Sequence, residues 1–225
     1  MIPALLDLVF PPACAACGAG LAASAGEPWC PDCGGAVDPP DPCCARCGLP
    51  GPEGPCQACL ADPPALDGLR AAAAFGGPLA DAVHAFKYRD RPALARPLGR
   101  WLAARVASPP GALLVAVPLA RGRRVARGYD QAALLAGWVG RATGLPVLRG
   151  ALRRVRETPP QVGRSRAERA ANVAGAFAAG AGVRGREIAL VDDVVTTGAT
   201  AEACARALKA AGAARVTLLA LGRAG

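Results

Sequence analysis

Ten residues near the C-terminus, VDDVVTTGAT at 191–200, bring two carboxylates, three hydroxyls and a glycine into one short stretch. The apolar residues 188–191 predict a buried strand, and the alanine-rich residues after Gly198 predict a helix. A strand, a hydroxyl-bearing loop and a helix N-terminus in this order favour an anion, because backbone N–H groups converge there and the helix dipole attracts negative charge. The stretch therefore predicts a phosphate site.

The two adjacent acids, Asp192 and Asp193, would repel a phosphate unless hydroxyl groups or a cation intervened. A ribose with two free hydroxyls and a bound Mg²⁺ supplies both. The alternative is that the acids only end a strand and that a threonine caps the helix, and the whole string in this order weakens it. The candidate phosphate-binding residues are Thr196, Thr197, Gly198, Ala199 and Thr200.

A second set of candidate ligands lies near the N-terminus, where nine of the ten cysteines fall within residues 14–59. Eight of them form four Cys-x-x-Cys pairs, and Gly18, Gly34 and Gly48 each follow such a pair, which suits a tight knuckle around a metal. Eight thiolates offer two closed, structural zinc sites. The simplest pairing joins Cys14, Cys17, Cys30 and Cys33 in one site and Cys44, Cys47, Cys56 and Cys59 in the other, with a crossed pairing left open.

Two other uses of these cysteines compete with zinc. A disulfide framework requires an oxidising compartment, and redox chemistry usually uses one Cys-x-x-Cys beside a βαβ pattern rather than four in a coil-rich segment. We expect a cytoplasmic protein without membrane insertion, because no segment is uniformly apolar and long enough to span a bilayer, and the N-terminus lacks the basic start of a signal peptide. Cys43 has no assigned role in this scheme.

The amino-acid composition and the pattern of apolar segments change near residue 65, and this change predicts two domains. Residues 1–64 would form a double zinc-ribbon-like module, rich in proline and glycine. In residues 65–225, apolar strand segments alternate with alanine-rich helical segments, and this order predicts an α/β domain with a parallel sheet and right-handed crossovers.

The net charge of +9 comes mainly from arginine, because Lys87 and Lys209 are the only lysines. A charge of this size favours an anionic partner, either phosphates or nucleic acid. The aromatic content of 4% counts against extensive stacking on nucleic-acid bases.

The stretch VDDVVTTGAT resembles the phosphoribosyl diphosphate (PRPP) signature of type I phosphoribosyltransferases. Together with CAACG, CARCGLP, AVPLARGRRVARGYDQAALLA and LRRVRETPPQVGRSRAERAANVAGAF, it occurs in the order and spacing of the ComF family, which is linked to bacterial DNA uptake and competence. The resemblance covers nearly the whole chain. It implies a type I phosphoribosyltransferase fold, with a parallel sheet flanked by helices and a lid or hood segment, plus a small N-terminal zinc module.

The resemblance also implies roles for individual residues. Asp192 and Asp193 would hold the ribose hydroxyls, and residues 196–200 would cradle the 5′-phosphate. Asp130 stands where family members usually have asparagine, which adds negative charge near the proposed anion site. The pyrophosphate loop would comprise Val117, Pro118, Arg123, Arg124 and Arg127, and the lid would include Arg154, Arg156, Thr158 and Gln161.

A basic element at Lys87 and Arg89 also matches the family, and these residues either face a nucleotide or nucleic acid or simply end a solvated helix. His84, the only histidine, is expected on a helix face without a chemical role.

Two functions of different classes follow from the resemblance. One is a Mg²⁺-dependent phosphoribosyltransferase with an unknown acceptor, in which the site stabilises the cationic ribose and the leaving pyrophosphate. The other is a non-catalytic protein of the transformation machinery that binds single-stranded DNA and uses the same site to sense PRPP or a nucleotide. A third hypothesis makes the zinc module a docking element for a helicase-like competence partner.

Overall fold

A parallel sheet of four strands organises the C-terminal part of the chain in the computed structural model, which describes residues 12–21, 27–51, 54–157 and 166–224. The strand order is β1-β6-β5-β2, and every neighbouring pair is parallel. Parallel neighbours need crossover connections, which here contain helices. The strands are β1 (Gly68–Ala74), β2 (Leu113–Ala116), β5 (Glu187–Val195) and β6 (Arg215–Arg223).

Helices cover both faces of this sheet, since alternate residues of β5 belong to two different apolar clusters. Ala189 and Val191 lie in one cluster, and Ile188 and Leu190 lie in the other. The helices are α1 (Pro31–Gly35), α2 (Gln57–Ala61), α3 (Gly77–Tyr88), α4 (Ala95–Arg105), α5 (Arg121–Arg127), α6 (Gln131–Thr143), α7 (Arg166–Val173) and α8 (Ala199–Ala210). Helices α3, α4 and α6 build the first cluster and α8 builds the second. Within the described ranges, none of the helices has the length and apolar character needed to cross a membrane.

A short antiparallel ribbon stands apart from the main sheet. It pairs β3 (Leu152–Arg154) with β4 (Phe177–Ala179), and α7 lies between these strands in the chain. We call β3, α7, β4 and the described residues between them the hood. The predicted α/β fold class, with helices on a parallel sheet and an N-terminal zinc module, is confirmed.

The central strand β5 extends further than its apolar run, which the sequence predicted to end at Val191. It continues to Val195 because β6 runs alongside as far as Arg223, whereas β2 ends at Ala116 opposite Val191. After β2 the chain turns away at Pro118, which has no N–H to continue a ladder. Residues 192–195 therefore border an open crevice on the β2 side, at the carboxyl ends of the strands.

The cysteine-rich module covers the outer edge of the sheet. Its backbone accepts hydrogen bonds from β1 at two places, from Leu69 N–H to the Ala45 carbonyl at 2.9 Å and from Ala74 N–H to the Asp38 carbonyl at 3.2 Å. Trp29 of the module packs edge-on against Trp101 of α4, with ring centroids 5.5 Å apart. An uncovered edge strand offers unpaired backbone groups to other chains, so the module also protects the sheet.

Two of the three glycines that follow a Cys-x-x-Cys pair have the left-handed conformation that a knuckle requires. Gly18 has φ of 79° and Gly48 has φ of 68°, while Gly34 lies in helix α1 instead. The surroundings differ, because a Cβ on Gly18 would meet open space, whereas one on Gly48 would lie 2.6 Å from Arg223 Nη1 and 3.0 Å from Leu69 Cδ2. Gly48 is thus a position where the second knuckle packs closely against the sheet.

These surroundings predict unequal costs for two alanine substitutions. Gly18→Ala should lower the free energy of unfolding by about 1–2 kcal/mol, the cost of left-handed backbone in a non-glycine residue. Gly48→Ala should cost more, because the same strain is joined by the clash with β1 and β6. Denaturant unfolding of the two zinc-loaded variants measures the difference, and equal losses would show that the module does not press on the sheet at Gly48.

Candidate functional site

The predicted phosphate loop forms a small cradle between β5 and α8. Asp192 and residues 194–201 line a cavity of about 50 Å³. Gly198, with φ of 76°, is the residue before the helix, and no side chain caps the helix at this position. The first-turn N–H groups of α8 have no partners within the helix itself, so they are available to an anion. The alternative in which Thr197 or Thr200 caps this helix is not what the structure shows.

The two adjacent acids have different surroundings, because successive strand residues face opposite sides of a sheet. Asp193 is buried, and its Oδ1 lies 2.6 Å from Nζ of Lys87, in the last turn of α3. Asp192 is only partly buried, and it lines the cradle. Their backbone is also tied locally, with Asp193 N–H donating to Asp192 Oδ1 at 2.8 Å and Val194 N–H donating to Asp193 Oδ1 at 2.7 Å.

Burial and the neighbouring charge of Asp193 raise the pKa of the Asp192 carboxyl to about 8, although Lys87 acts in the opposite direction. A carboxyl with this pKa carries a proton most of the time at neutral pH in the ligand-free chain. Cations or hydroxyl donors that approach Asp192 would favour its ionised form. The electrostatics of the acidic pair therefore suit a ligand that brings such groups.

The loop after β2 is held in place by Asp130, the acid that replaces the usual asparagine. Its Oδ1 accepts the N–H of Ala133 at 3.0 Å and so caps α6, and its Oδ2 accepts the N–H of Leu119 at 3.3 Å. The two bonds use both carboxylate oxygens as acceptors, whereas an asparagine, with one oxygen and one NH2 donor, could accept only one of them in this geometry. The proposed pyrophosphate loop begins at Val117, whose side chain is buried, and Pro118, which faces a larger cavity.

This larger cavity, of about 560 Å³, lies between the loop, the start of α6 and the hood. Arg121 and Arg124 of α5 and Arg153 and Arg154 of the hood line it, with Asp130 and Glu157 as the acids. Burial and the charge of Arg123 lower the pKa of the Arg154 guanidinium, which places α5 and the hood within electrostatic range of each other. The cavity is therefore a predominantly cationic space.

Not all of the predicted arginines face this cavity. The guanidinium of Arg127 lies over the ring of Tyr88, 5.3 Å from its centroid. Arg156 donates from Nη2 to the Asn172 carbonyl at 3.0 Å and to the Ala174 carbonyl at 2.7 Å, so it ties the hood together. The predicted lid residues Thr158 and Gln161 lie outside the described residues.

The cysteines form two separate quartets, and each quartet joins two Cys-x-x-Cys pairs that are consecutive in the sequence. Within each quartet the four sulfur atoms lie within 4.8 Å of one another. Cys17 and Cys30 sulfurs are 3.8 Å apart, as are those of Cys47 and Cys56. A tetrahedron with zinc–sulfur bonds of about 2.3 Å has edges of about 3.8 Å, so the quartets fit zinc. The quartets are Cys14, Cys17, Cys30 and Cys33, and Cys44, Cys47, Cys56 and Cys59.

Each quartet contains one thiol whose pKa is lowered and at least one whose pKa is raised. Burial would raise the pKa of Cys14, but backbone N–H groups that include those of Cys30 and Cys17 outweigh it and lower this pKa to about 6. Cys44 is lowered to about 6 in the same way, and the N–H of Cys56 reaches its sulfur at 3.2 Å. Burial and neighbouring thiols raise the pKa of Cys33 to about 12. Four thiolates so close together require a dication, which a structural zinc ion would supply.

Two residues of this region were not assigned by the sequence. Lys87 was left between a ligand-facing role and a solvated helix end, and the structure instead pairs it with Asp193. Its rarity was an available signal, since a lysine in a chain that otherwise uses arginine suggests a specific position. Tyr88 was not singled out, although its side chain is 67% exposed and lies beside basic residues in the sequence KYRDR.

Comparison with known proteins agrees with this architecture. A family model described as a double zinc ribbon domain matches residues 5–61. The chain is 35% identical over 207 residues to the DNA utilization protein YhgH of Salmonella typhi, covering 86% of this chain and 89% of that protein. It is 34% identical over 189 residues to YhgH of Escherichia coli strain K12, with 80% and 83% covered. It is 32% identical over 195 residues to competence protein F of Haemophilus influenzae, with 81% and 85% covered.

Solved structures with similar regions include two from nucleotide metabolism. The glutamine PRPP amidotransferase from B. subtilis, complexed with ADP and GMP, is 25% identical with a TM-score of 0.39, covering 61% of this chain and 27% of that chain. A structure described as the allosteric regulatory enzyme of purine biosynthesis is 26% identical with a TM-score of 0.41, covering 56% and 25%. This chain thus spans about a quarter of the length of those two chains.

The thiol quartets predict two zinc ions per chain and a pH-dependent affinity. Zinc must displace the protons held by thiols of raised pKa, so its affinity should rise with pH through the neutral range. Below about pH 6 the dependence should steepen, because Cys14 and Cys44 then also hold protons. Elemental analysis and competition with a chromophoric chelator measure both quantities.

A matched pair of variants makes this test specific. Cys59→Ala should remove one zinc ion, whereas Cys43→Ala, which lies outside both quartets, should keep two. A wild-type stoichiometry near zero, or loss of zinc in the Cys43 variant, would contradict the assignment.

Proposed function

The chain belongs to the family of DNA utilization and competence proteins, and on this premise we propose that it binds PRPP or a related nucleotide together with Mg²⁺. The 5′-phosphate would lie in the cradle at residues 196–200, the ribose and Mg²⁺ at the acidic pair, and the diphosphate in the arginine-lined cavity. The protein would serve DNA uptake in the cytoplasm as a phosphate-sugar-binding component.

The observation that carries this proposal is the placement of an anion cradle, an acid and a cationic cavity around one crevice. Asp192 lines the cradle at the end of β5, and the loop after β2 borders the larger cavity across the crevice. The Val117 N–H donates to the Val191 carbonyl at 2.9 Å, so the loop that borders the larger cavity begins beside the residue that precedes Asp192. PRPP carries its phosphates at opposite ends of a ribose, which fits two anion sites separated by an acid.

Transfer of the phosphoribosyl group is the activity that such a site would support. The bond between ribose C1 and the pyrophosphate oxygen would break, pyrophosphate would leave with the electron pair, and an acceptor would bond to C1. Arg124 and Arg154, which line the cavity, would stabilise the leaving diphosphate. The acceptor is not identified by the residues of the site, so we propose the reaction class alone.

Asp192→Asn is the sharpest test of the proposed ligand. It keeps the size of the side chain and an acceptor oxygen but removes the charge that a ribose and Mg²⁺ engage. Loss of one charge-assisted hydrogen bond, about 1.5–3 kcal/mol, should weaken PRPP binding by about 10- to 150-fold. Calorimetric titration of the zinc-loaded protein with PRPP, with and without Mg²⁺, measures the affinity.

Asp81→Asn is a matched control, because it removes the same charge from an exposed position on α3. Its PRPP affinity should equal that of the wild type. A folded Asp192 variant with unchanged affinity would show that the acid is only a strand residue. Wild-type protein that binds no PRPP would contradict the proposed ligand itself.

A second candidate function, binding of single-stranded DNA, is favoured by a basic face with exposed apolar side chains. Tyr88 is 67% exposed, and it contacts the ring of His84 as well as Arg127. Val125 of α5 is 75% exposed, among arginines that are themselves exposed. The N–H of Arg121 donates to Glu157 Oε1 at 2.9 Å and so joins α5 to the hood. Guanidinium groups neutralise phosphates, and an exposed ring can stack on a base.

Separate substitutions distinguish stacking from phosphate contact on this face. Tyr88→Ala should weaken single-stranded DNA binding by the cost of one stacked base, about 1–3 kcal/mol, without changing the salt dependence. Arg124→Ala should instead reduce the slope of log affinity against log salt by about 0.7. Arg141→Ala, at the far end of α6, is the control and should alter neither quantity. Fluorescence anisotropy at several salt concentrations measures both, and binding that ignores salt would contradict the proposed surface.

A further inference from the structure

Of the two adjacent acids, Asp193 forms a buried ion pair with Lys87. Lys87 Nζ lies 2.6 Å from Asp193 Oδ1, and the two side chains are 19% and 5% exposed. A carboxylate this buried is strongly destabilising without a counter-charge. The basic group that the described structure places in contact with it comes from α3, a helix on the face of the sheet away from α8.

Neither oxygen of Asp193 is open to a ligand. Oδ1 accepts the Lys87 ammonium and the Val194 N–H, and Oδ2 is buried with no hydrogen-bond partner among the described residues. Asp193 is also absent from the lining of the cradle, which Asp192 and residues 194–201 form. A ligand in the cradle therefore meets Asp192 first.

Lys87 is held in place by the loops of the site itself. The residue before it, Phe86, accepts a hydrogen bond from the Tyr129 hydroxyl through its carbonyl, and the two rings stack with centroids 5.8 Å apart. Tyr129 precedes Asp130, which binds the Leu119 N–H and caps α6. The end of α3 is thus joined both to Asp193 of β5 and to the loop that borders the arginine-lined cavity.

We infer that Lys87 is a positioning residue, the built-in counter-cation of Asp193, and that Asp192 alone of the two acids contacts the phosphate-sugar ligand. This assignment rests on the proposed function, and it gives the two acids different roles: Asp192 contacts the ligand, and Asp193 pairs with Lys87. Lys87 balances one of the two negative charges, so the ligand and its Mg²⁺ need to balance only the other. Without Lys87, an uncompensated carboxylate would lie next to Asp192 in the chain, buried on the opposite face of β5.

A double-mutant cycle tests the pair independently of any ligand. Lys87→Met and Asp193→Asn should each lower the melting temperature, because each leaves one buried polar partner unbalanced. The double variant should recover most of that loss. Additive losses, or a double variant that fails to fold, would overturn the ion pair as the reason for these residues.

Titration with PRPP and Mg²⁺ then tests the positioning role. Lys87→Met should weaken PRPP binding by about tenfold or more, the expected effect of an added uncompensated charge near the phosphate. Raised Mg²⁺ should restore it, as should the second substitution Asp193→Asn, and Lys87→Arg should bind nearly as the wild type does. Asp192→Asn should be restored by none of these.

The outcomes separate the two proposals. If the wild type binds no PRPP, the proposed function fails while the stability cycle still reports on the pair. If the wild type binds PRPP but the double variant loses as much affinity as Asp192→Asn does, then Asp193 contacts the ligand and the inference is wrong. Unchanged affinity in the Lys87→Met variant would likewise overturn it.

Discussion

The pairing of β5 with β6 beyond the end of β2 is the constraint on which the site depends. Because β6 accompanies β5 as far as Val195, residues 192–195 keep their strand geometry, and because β2 stops opposite Val191, the same residues border an opening. Strand geometry sends Asp192 and Asp193 to opposite faces of the sheet. The crevice, the cradle and the separation of the two acids thus share one cause. In open α/β sheets, ligand sites lie outside the carboxyl ends of the strands for the same reason.

The negative charges near the sheet are partly neutralised within the protein, whereas positive charges predominate around the opening. At the sheet, Asp193 is neutralised by Lys87 within the protein, and Asp192 is left partly buried with a raised pKa. Around the opening, arginines of α5 and of the hood line a cavity whose acids, among the described lining residues, are Asp130 and Glu157. A ligand with a phosphate at each end and a hydroxyl-bearing middle would complement this arrangement. A nucleic-acid backbone would meet the same arginines from the outer surface.

The zinc module contacts the sheet at β1, the edge opposite β2. Its carbonyls at Asp38 and Ala45 accept hydrogen bonds from β1, and Arg223, at the end of β6, donates to the Cys47 carbonyl at 3.3 Å. The second quartet thereby supports both edge strand β1 and the strand that extends β5 into the crevice. Loss of zinc would free four mutually repelling or proton-holding thiols at this contact. The module therefore has a structural role in the sheet, whatever partners it also binds.

The sequence by itself determined the local elements and the zinc ligands. Apolar runs predicted the strands, alanine-rich segments predicted the helices, and four Cys-x-x-Cys pairs predicted two quartets, since these signals depend on neighbours a few residues away. The strand predicted at 188–191 is present, but it continues to Val195. The sequence underestimated its length because the extension depends on pairing with β6, which follows later in the chain.

Only the tertiary structure decided which charges meet. Lys87 and Asp193 are separated by more than a hundred residues of sequence and are 2.6 Å apart in space, and no local pattern specifies such a contact. In the same way, packing places Arg127 over Tyr88 and Arg156 within the hood, although the sequence assigned Arg127 to the pyrophosphate loop and Arg156 to the lid. Adjacent aspartates look equivalent in a sequence. The pleat of a strand makes them different, because it turns one toward the ligand and the other toward a buried lysine.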